Sequence, residues 1–261
     1  MTIVCTGFDG KVVSGVPITY SKALYKSPVP PAAPDCQSCP LRAFTLYLGD
    51  STGSVSEILA LRTGVKVVSK KTVLFRAGDA VRDFYSVRDG WAACYEVSGR
   101  GTRRIFDFIL PGEPLNLSSI SLDAAPSTIE AITDMVPCTF RCSDMARYMH
   151  GTEERWRRLE RVLVDQFVES KKKFVDWATN SSTQRVARLL LSLERRLDER
   201  GLAQNGSFKF PLRHRHIADA LGLTTVHVNR IMTLLRGQGI IELEKQVLRI
   251  KGREELVALS K

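Results

Sequence analysis

Residues Leu212 to Glu242 read LRHRHIADALGLTTVHVNRIMTLLRGQGIIE, and the rest of the chain is understood by working outward from them. Ile217, Ala218 and Leu221 recur at helical spacing, so one helix buries a single face there. Gly222 supplies the freedom for a sharp turn, Leu223 plugs it, and Thr224 or Thr225 can cap the next helix with a hydroxyl. In that second helix Val228, Ile231, Met232 and Leu235 again form one apolar stripe. Val226, Asn229, Arg230 and Thr233 then point outward, with Thr225 and His227 on their flanks. Asparagine can read adenine and arginine guanine through paired hydrogen bonds, while valine and threonine offer methyl groups to thymine. A helical hairpin facing only water would share the apolar pattern. The residues that follow argue against it. Gly239 ends the helix, and Ile240–Leu243 and Val247–Ile250 read as two short strands around a Glu244-Lys245-Gln246 turn, making a wing.

This order of features resembles the winged helix-turn-helix of the Crp/Fnr family of bacterial transcription regulators. The resemblance runs from about Cys36 onward. It implies an α+β chain with an N-terminal antiparallel β-roll, a long dimerisation helix and a C-terminal winged helix-turn-helix. We expect a flexible tail at 1–35, a cyclic-nucleotide-binding-like sensor β-roll at 36–150, a dimerisation helix at 151–179 and a DNA-binding domain at 180–261.

The chain has 261 residues, 44% of them apolar and 25% charged, as in a globular protein. Its formal charge of +10 favours an anionic partner, and from Asn180 onward 15 Lys/Arg face 8 Asp/Glu. No apolar run approaches the roughly 18 residues of a membrane span, and the N-terminus has no signal-peptide pattern, so we expect a cytoplasmic protein away from membranes. No nucleophile elbow, P-loop, HExxH or dinucleotide fingerprint is present, and three of the four histidines cluster in the helix-turn-helix; we expect no enzyme.

Pro28, Pro30, Pro31 and Pro34 favour an extended tail. Cys36-x-x-Cys39 follows, a spacing at which two thiolates reach one metal or each other. Six cysteines without a secretion signal do not read as a disulfide framework. In Fnr-like oxygen sensors, which the chain resembles, an N-terminal cysteine cluster and one distal cysteine hold an iron–sulfur cluster. Cys36 and Cys39 match the first two, and Cys138, within AITDMVPCTF, matches the distal one. The third N-terminal ligand is missing, since Thr45 stands about where it is expected; Cys5, Cys94 or Cys142 would have to complete a four-thiolate set. The CxxCP opening, the Asp89-Gly90-Trp91 turn and the Leu110-Pro111-Gly112-Glu113 segment bring the chain nearer to a related set of regulators whose effectors cannot be read from sequence.

From Val65 to Cys142 short β-branched runs alternate with turns: 65–68, 72–75, 84–87, 91–97, 102–110, 128–133 and 136–142. Such spacing suggests a sandwich or barrel, and by resemblance the β-roll. In family members that bind a cyclic nucleotide, a Gly-Glu pair holds the ribose and a later Arg-Ser or Arg-Thr pair neutralises the phosphate. Here Gly112-Glu113 is present, but Pro126-Ser127 stands at the later pair, so we do not expect cyclic-nucleotide binding. Arg103 and Arg104 read as solvated hairpin residues.

Residues 153–178 read as one helix. Trp156, Leu159, Leu163, Phe167, Ser170, Phe174 and Trp177 recur at three- and four-residue steps, an apolar stripe that needs a partner. Packing on the protein's own β-roll and pairing with a second copy are both expected of it, and the family's central helix does both. Residues 179–183 break the helix and read as a hinge. Val186, Leu189, Leu190 and Leu193 mark a further helix to about Glu199, and Lys209–Leu212 a short extended link.

The expected function is that of a homodimeric, sequence-specific regulator on a pseudo-palindromic DNA site. Arg230 and Asn229 would contact base edges, with Thr224, Thr225, Val226 and His227 nearby. Arg213 and Arg215 would hold phosphates. Val226 stands where other family members carry an acidic reader of cytosine. The resemblance also implies RNA polymerase as a partner. Three routes of control stay open: the cysteines Cys36, Cys39 and Cys138 as a metal, iron–sulfur or thiol switch; a small molecule or haem in the β-roll; or no effector.

Overall fold

The computed structural model describes Pro40 and residues 53–261. The tail at 1–35 and both cysteines of the Cys36-x-x-Cys39 pair lie outside the described residues.

A short helix, α1 (Gly53–Ala60), leads into seven strands: β1 (Arg62–Val65), β2 (Val73–Phe75), β3 (Asp83–Asp89), β4 (Ala92–Val97), β5 (Arg103–Ile109), β6 (Thr128–Ala131) and β7 (Val136–Arg141). They form two antiparallel sheets, ordered β1-β7-β3 and β2-β6-β4-β5. Where 65–68 is expected as a strand, pairing starts earlier, at Arg62, and Val68 keeps only an isolated bridge to Met135. Gly90 (φ +92°) makes the β3–β4 turn, where a Cβ would sit 2.4 Å from the Asp134 carbonyl oxygen; only glycine fits there.

The period of two along β4 and β5 explains how the second sheet is used. Ala92, Ile109, Ile129 and Ala131 fill the interior of the roll with Phe75, Tyr85, Val87 and Met135. The alternate residues Trp91, Ala93, Tyr95, Ile105 and Phe108 face the other way. That outer face is also buried, because the C-terminal domain packs on it.

Helix α2 (Cys142–His150) follows β7 and was not anticipated from the sequence. It closes one end of the roll with Met145 and Met149, both fully buried. Helix α3 (Glu153–Thr179) matches the expected 153–178 within a residue; Thr152 caps it by accepting from the Arg155 N–H. Asn180 leaves the helical region (φ −92°, ψ 146°), and Ser181 and Gln184 form a capping box that starts α4 (Ser182–Asp198).

The C-terminal domain adds β8 (Ala203–Gln204), β9 (Ser207–Lys209), α5 (His214–Leu221), α6 (Thr225–Gly237), β10 (Ile241–Glu244), β11 (Val247–Ile250) and α7 (Arg253–Leu259). The segment before Leu212 is more than a link, since β9 pairs with β11 and makes the wing a four-stranded sheet, β10-β11-β9-β8. Leu190, Leu193, Ile217, Val228, Leu235 and Leu248 are in one core with Trp91, Tyr95, Ile105 and Phe108 of the β-roll. Rotation about 179–183 would have to open this shared core.

Candidate nucleic-acid interface

Helices α5 and α6 pack against each other around Gly222, whose φ of 67° places it in the left-handed region. The Arg185 guanidinium donates to the Leu221 carbonyl at 2.7 Å, satisfying the end of α5. Thr224 caps α6, its hydroxyl accepting from the His227 N–H at 3.2 Å. Val228, Ile231, Met232 and Leu235 turn inward. On the opposite side Thr225, Val226, His227, Asn229 and Arg230 are all exposed, Val226 to 75%. An apolar side chain is thus left open beside Asn229 and Arg230, side-chain types that can pair with base edges through two hydrogen bonds.

Arg213 and Arg215 lie exposed at the start of α5. Directly after Arg215, His216 is buried, with Nδ1 accepting from the Arg213 N–H at 3.1 Å. Burial first, then Arg215, Arg103, Arg213 and Lys70, push its pKa down to about 4. The imidazole is therefore neutral at pH 7, as an acceptor must be. Because the unfolded chain takes up this proton near pH 6.5 and the folded chain only near 4, stability falls on acidification between those values. Thermal unfolding of the wild type should lose about 3 kcal/mol from this group by pH 4, and His216→Gln should flatten that slope. An unchanged slope in the variant would show that other groups carry the acid sensitivity.

The wing turns through Lys245 (φ 45°) and Gln246 (φ 65°), two consecutive left-handed residues as a two-residue hairpin requires. Lys245 is exposed at the tip, while Arg249 and Lys251 reach Glu242 at 3.5 and 3.1 Å.

The long helix divides its predicted stripe. Trp156 stacks on His150 with ring centroids 4.5 Å apart, and Leu159 is 1% exposed within the core of its own β-roll. Neither forms the open face expected of a dimer contact: the start of α3 lies over α2 and uses them there. Leu163 (39%), Phe167 (59%) and Phe174 (71%) remain exposed, with Val164, Val168 and Val175 beside them.

Cys138 sits on β7, buried among Phe84, Phe140, Met145 and Met149. Among the described residues no group of three or more His, Cys, Asp or Glu could hold a metal ion. The Ser127 hydroxyl, at the position of the family's Arg-Ser pair, lies 2.9 Å from the Cys94 sulfur.

The sequence offered no warning of what happens around Glu113. Its carboxylate accepts from the Leu110 N–H at 2.9 Å and from Arg196 of α4 at 2.6 and 3.0 Å, and pairs with Arg200 at 3.1 Å. Arg196 also reaches Asp107 at 3.1 Å and the Phe108 carbonyl at 2.6 Å. Burial alone would raise the Asp107 carboxyl, but Arg196 and Lys173 outweigh it and hold it below the usual range. Arg103 is not a solvated hairpin residue: it pairs with Glu130 at 3.0 Å and Asp219 of α5 at 3.8 Å, and covers the Tyr95 ring at 3.8 Å. The docked α5 turns this hairpin position into a domain contact.

Two domain families match this chain in order, a cyclic nucleotide-binding domain over residues 65–151 and a Crp-like helix-turn-helix domain over 184–259. The chain belongs to the Crp/Fnr family. Members of the family are transcription regulators that bind DNA. Among curated relatives of this Crp/Fnr protein is the transcriptional activator protein FnrA of Stutzerimonas stutzeri, 24% identical over 86% of this chain and 92% of that one. The transcriptional activator protein Anr of Pseudomonas aeruginosa is 23% identical with the same coverage. FixK2 from Bradyrhizobium japonicum shares the fold with a TM-score of 0.68, covering 76% of this chain and 97% of its own at 24% identity. Among the described residues of the Crp/Fnr chain, no helix is long and apolar enough to cross a membrane.

Proposed function

We propose that this Crp/Fnr regulator acts as a homodimer on a pseudo-palindromic DNA duplex, each protomer laying α6 into the major groove. The exposed Val226–Asn229–Arg230 face, on the side of α6 opposite its buried stripe, carries this reading. Arg230 and Asn229 contact base edges, with Thr225, Val226 and His227 beside them; Thr224 serves mainly as the cap. Arg213 and Arg215, beside neutral His216, hold phosphates and set register. Leu163, Phe167 and Phe174 of α3 pair with the same residues of a second copy, which places two reading helices one helical turn apart. RNA polymerase is the protein partner that such a regulator engages once bound.

Binding titrations test the assignment of Arg230. On duplexes varied one base pair at a time, Arg230→Ala should cost about 1–3 kcal/mol and relax preference at one position in each half-site. Arg213→Ala should instead weaken every sequence alike and lower the salt dependence by about one counterion. A uniform loss from Arg230→Ala would move that residue into the phosphate-holding class.

A further inference from the structure

The two domains are joined by an apolar contact and by a charged one of unusual geometry. Glu113 lies in the turn after β5, is 9% exposed, and carries two guanidinium groups from the C-terminal end of α4 and the residues just after it. Arg196 and Arg200 are one turn apart on and just beyond α4, so both point at the same carboxylate. Arg196 spends all of its terminal nitrogens across the boundary, on Glu113, Asp107 and the Phe108 carbonyl. Beside this cluster Gly112 (φ +87°) is pressed so closely that a Cβ would meet the Pro40 carbonyl oxygen at 2.6 Å and Arg200 Cδ at 2.9 Å. A second bridge, Arg103 to Asp219, ties β5 to α5. With all these contacts made, the α6 face stays exposed, Val226 included.

We propose that Glu113 is a positioning residue for DNA reading: through Arg196 and Arg200 it locks the winged helix-turn-helix to the β-roll in the orientation competent to bind. The Glu113 carboxylate is committed to the partner domain through both oxygens. An apolar contact sets how strongly two surfaces adhere but little of their direction; a forked guanidinium–carboxylate pair fixes direction as well. Without Glu113 the reading head samples other orientations, and apparent affinity falls by the fraction that remains competent. The inference rests on DNA reading by α6, and its two readouts separate failure of one from failure of the other.

The experiment compares the full-length wild type with Glu113→Gln and Arg200→Gln by amide hydrogen exchange and by binding to a duplex that the wild type selects from random sequence. In Glu113→Gln, exchange should quicken in 103–109 and 214–221 but not in the β3–β7 pairs, and the dissociation constant should rise about tenfold. Arg200→Gln removes one arm and should give the same pattern at smaller size; it decides the matter if Glu113→Gln fails to fold. Unchanged exchange with unchanged affinity would overturn the proposal. Quicker exchange with tighter binding would overturn it too, making the contact an inhibitory clasp. If the wild type selects no duplex, DNA reading fails, while the exchange pattern still decides whether Glu113 locks the domains.

Discussion

Replacing Leu163 and Phe167 together by arginine should leave the protein monomeric in sedimentation and weaken its binding to a two-half-site duplex by about 10²–10⁴-fold. Both side chains are exposed in the single chain, 39% and 59%, and the change costs the protomer little beyond the surface contact of Lys171 Nζ with the Phe167 ring, 4.5 Å from its centroid. The neighbouring Val164, Val168, Phe174 and Val175 make the same face apolar over several turns, more than a solvated helix leaves open. Arginines facing each other across a two-fold axis repel and must be desolvated, so the double variant opposes pairing actively. The loss on DNA follows from linkage: once one head is bound, the second binds as an intramolecular event, and a monomer forfeits that advantage. Affinity for a single half-site should stay within about twofold, because α6 is untouched. A variant that remains dimeric would place the dimer contact elsewhere, and a monomer that keeps full affinity would remove the need for two heads.

The second large effect concerns the shared core. Phe108 is 2% exposed, and it belongs to the same cluster as Leu190, Leu193 and Ile217. Phe108→Ala should cost about 3–5 kcal/mol of stability, lost burial and cavity together. The shape of the transition is the sharper prediction. The wild type should unfold its β-roll and winged helix-turn-helix together, since neither can leave without exposing the other's apolar face. The variant should show two calorimetric transitions. A single, merely shifted transition in the variant would mean that the two domains are coupled by something other than this contact.

Much of this molecule was legible in its sequence, for reasons that differ by region. Helices α5 and α6 announce themselves through apolar residues at three- and four-residue steps and a glycine between; both depend on local pattern, and both are found where expected. The extent of α3 follows likewise from its three- and four-residue apolar steps and the break at Asn180. Its division of labour does not, because periodicity says which residues share a face and not which surface covers them. Leu159 is consumed by the core of the protomer's own β-roll and half-buried Trp156 stacks on His150 of α2, while Leu163, Phe167 and Phe174 stay exposed. Helix α2 escaped notice because its nine residues follow directly on a strand and Arg141 makes no side-chain cap. The Glu113–Arg196 junction could not be read at all. Glu113 and Arg196 are 83 residues apart; Glu113 stands out only as half of a Gly-Glu pair and Arg196 only as a helix charge until the fold brings them together. One signal was present: β4 and β5 carry apolar residues on both faces, Ala92 and Ile109 on one, Tyr95 and Phe108 on the other, which marks a sheet covered twice.

The central claim is that α6 reads DNA bases from a two-fold dimer, and selection from a pool of random duplexes by the full-length protein tests it most directly. The account predicts enrichment of one pseudo-palindrome whose half-sites are centred about 10 base pairs, one helical turn, apart. Arg230→Ala should lose preference at one symmetric pair of positions and keep the rest. Enrichment of an asymmetric site, or no enrichment above the nonspecific affinity expected of a chain with a charge of +10, would contradict it.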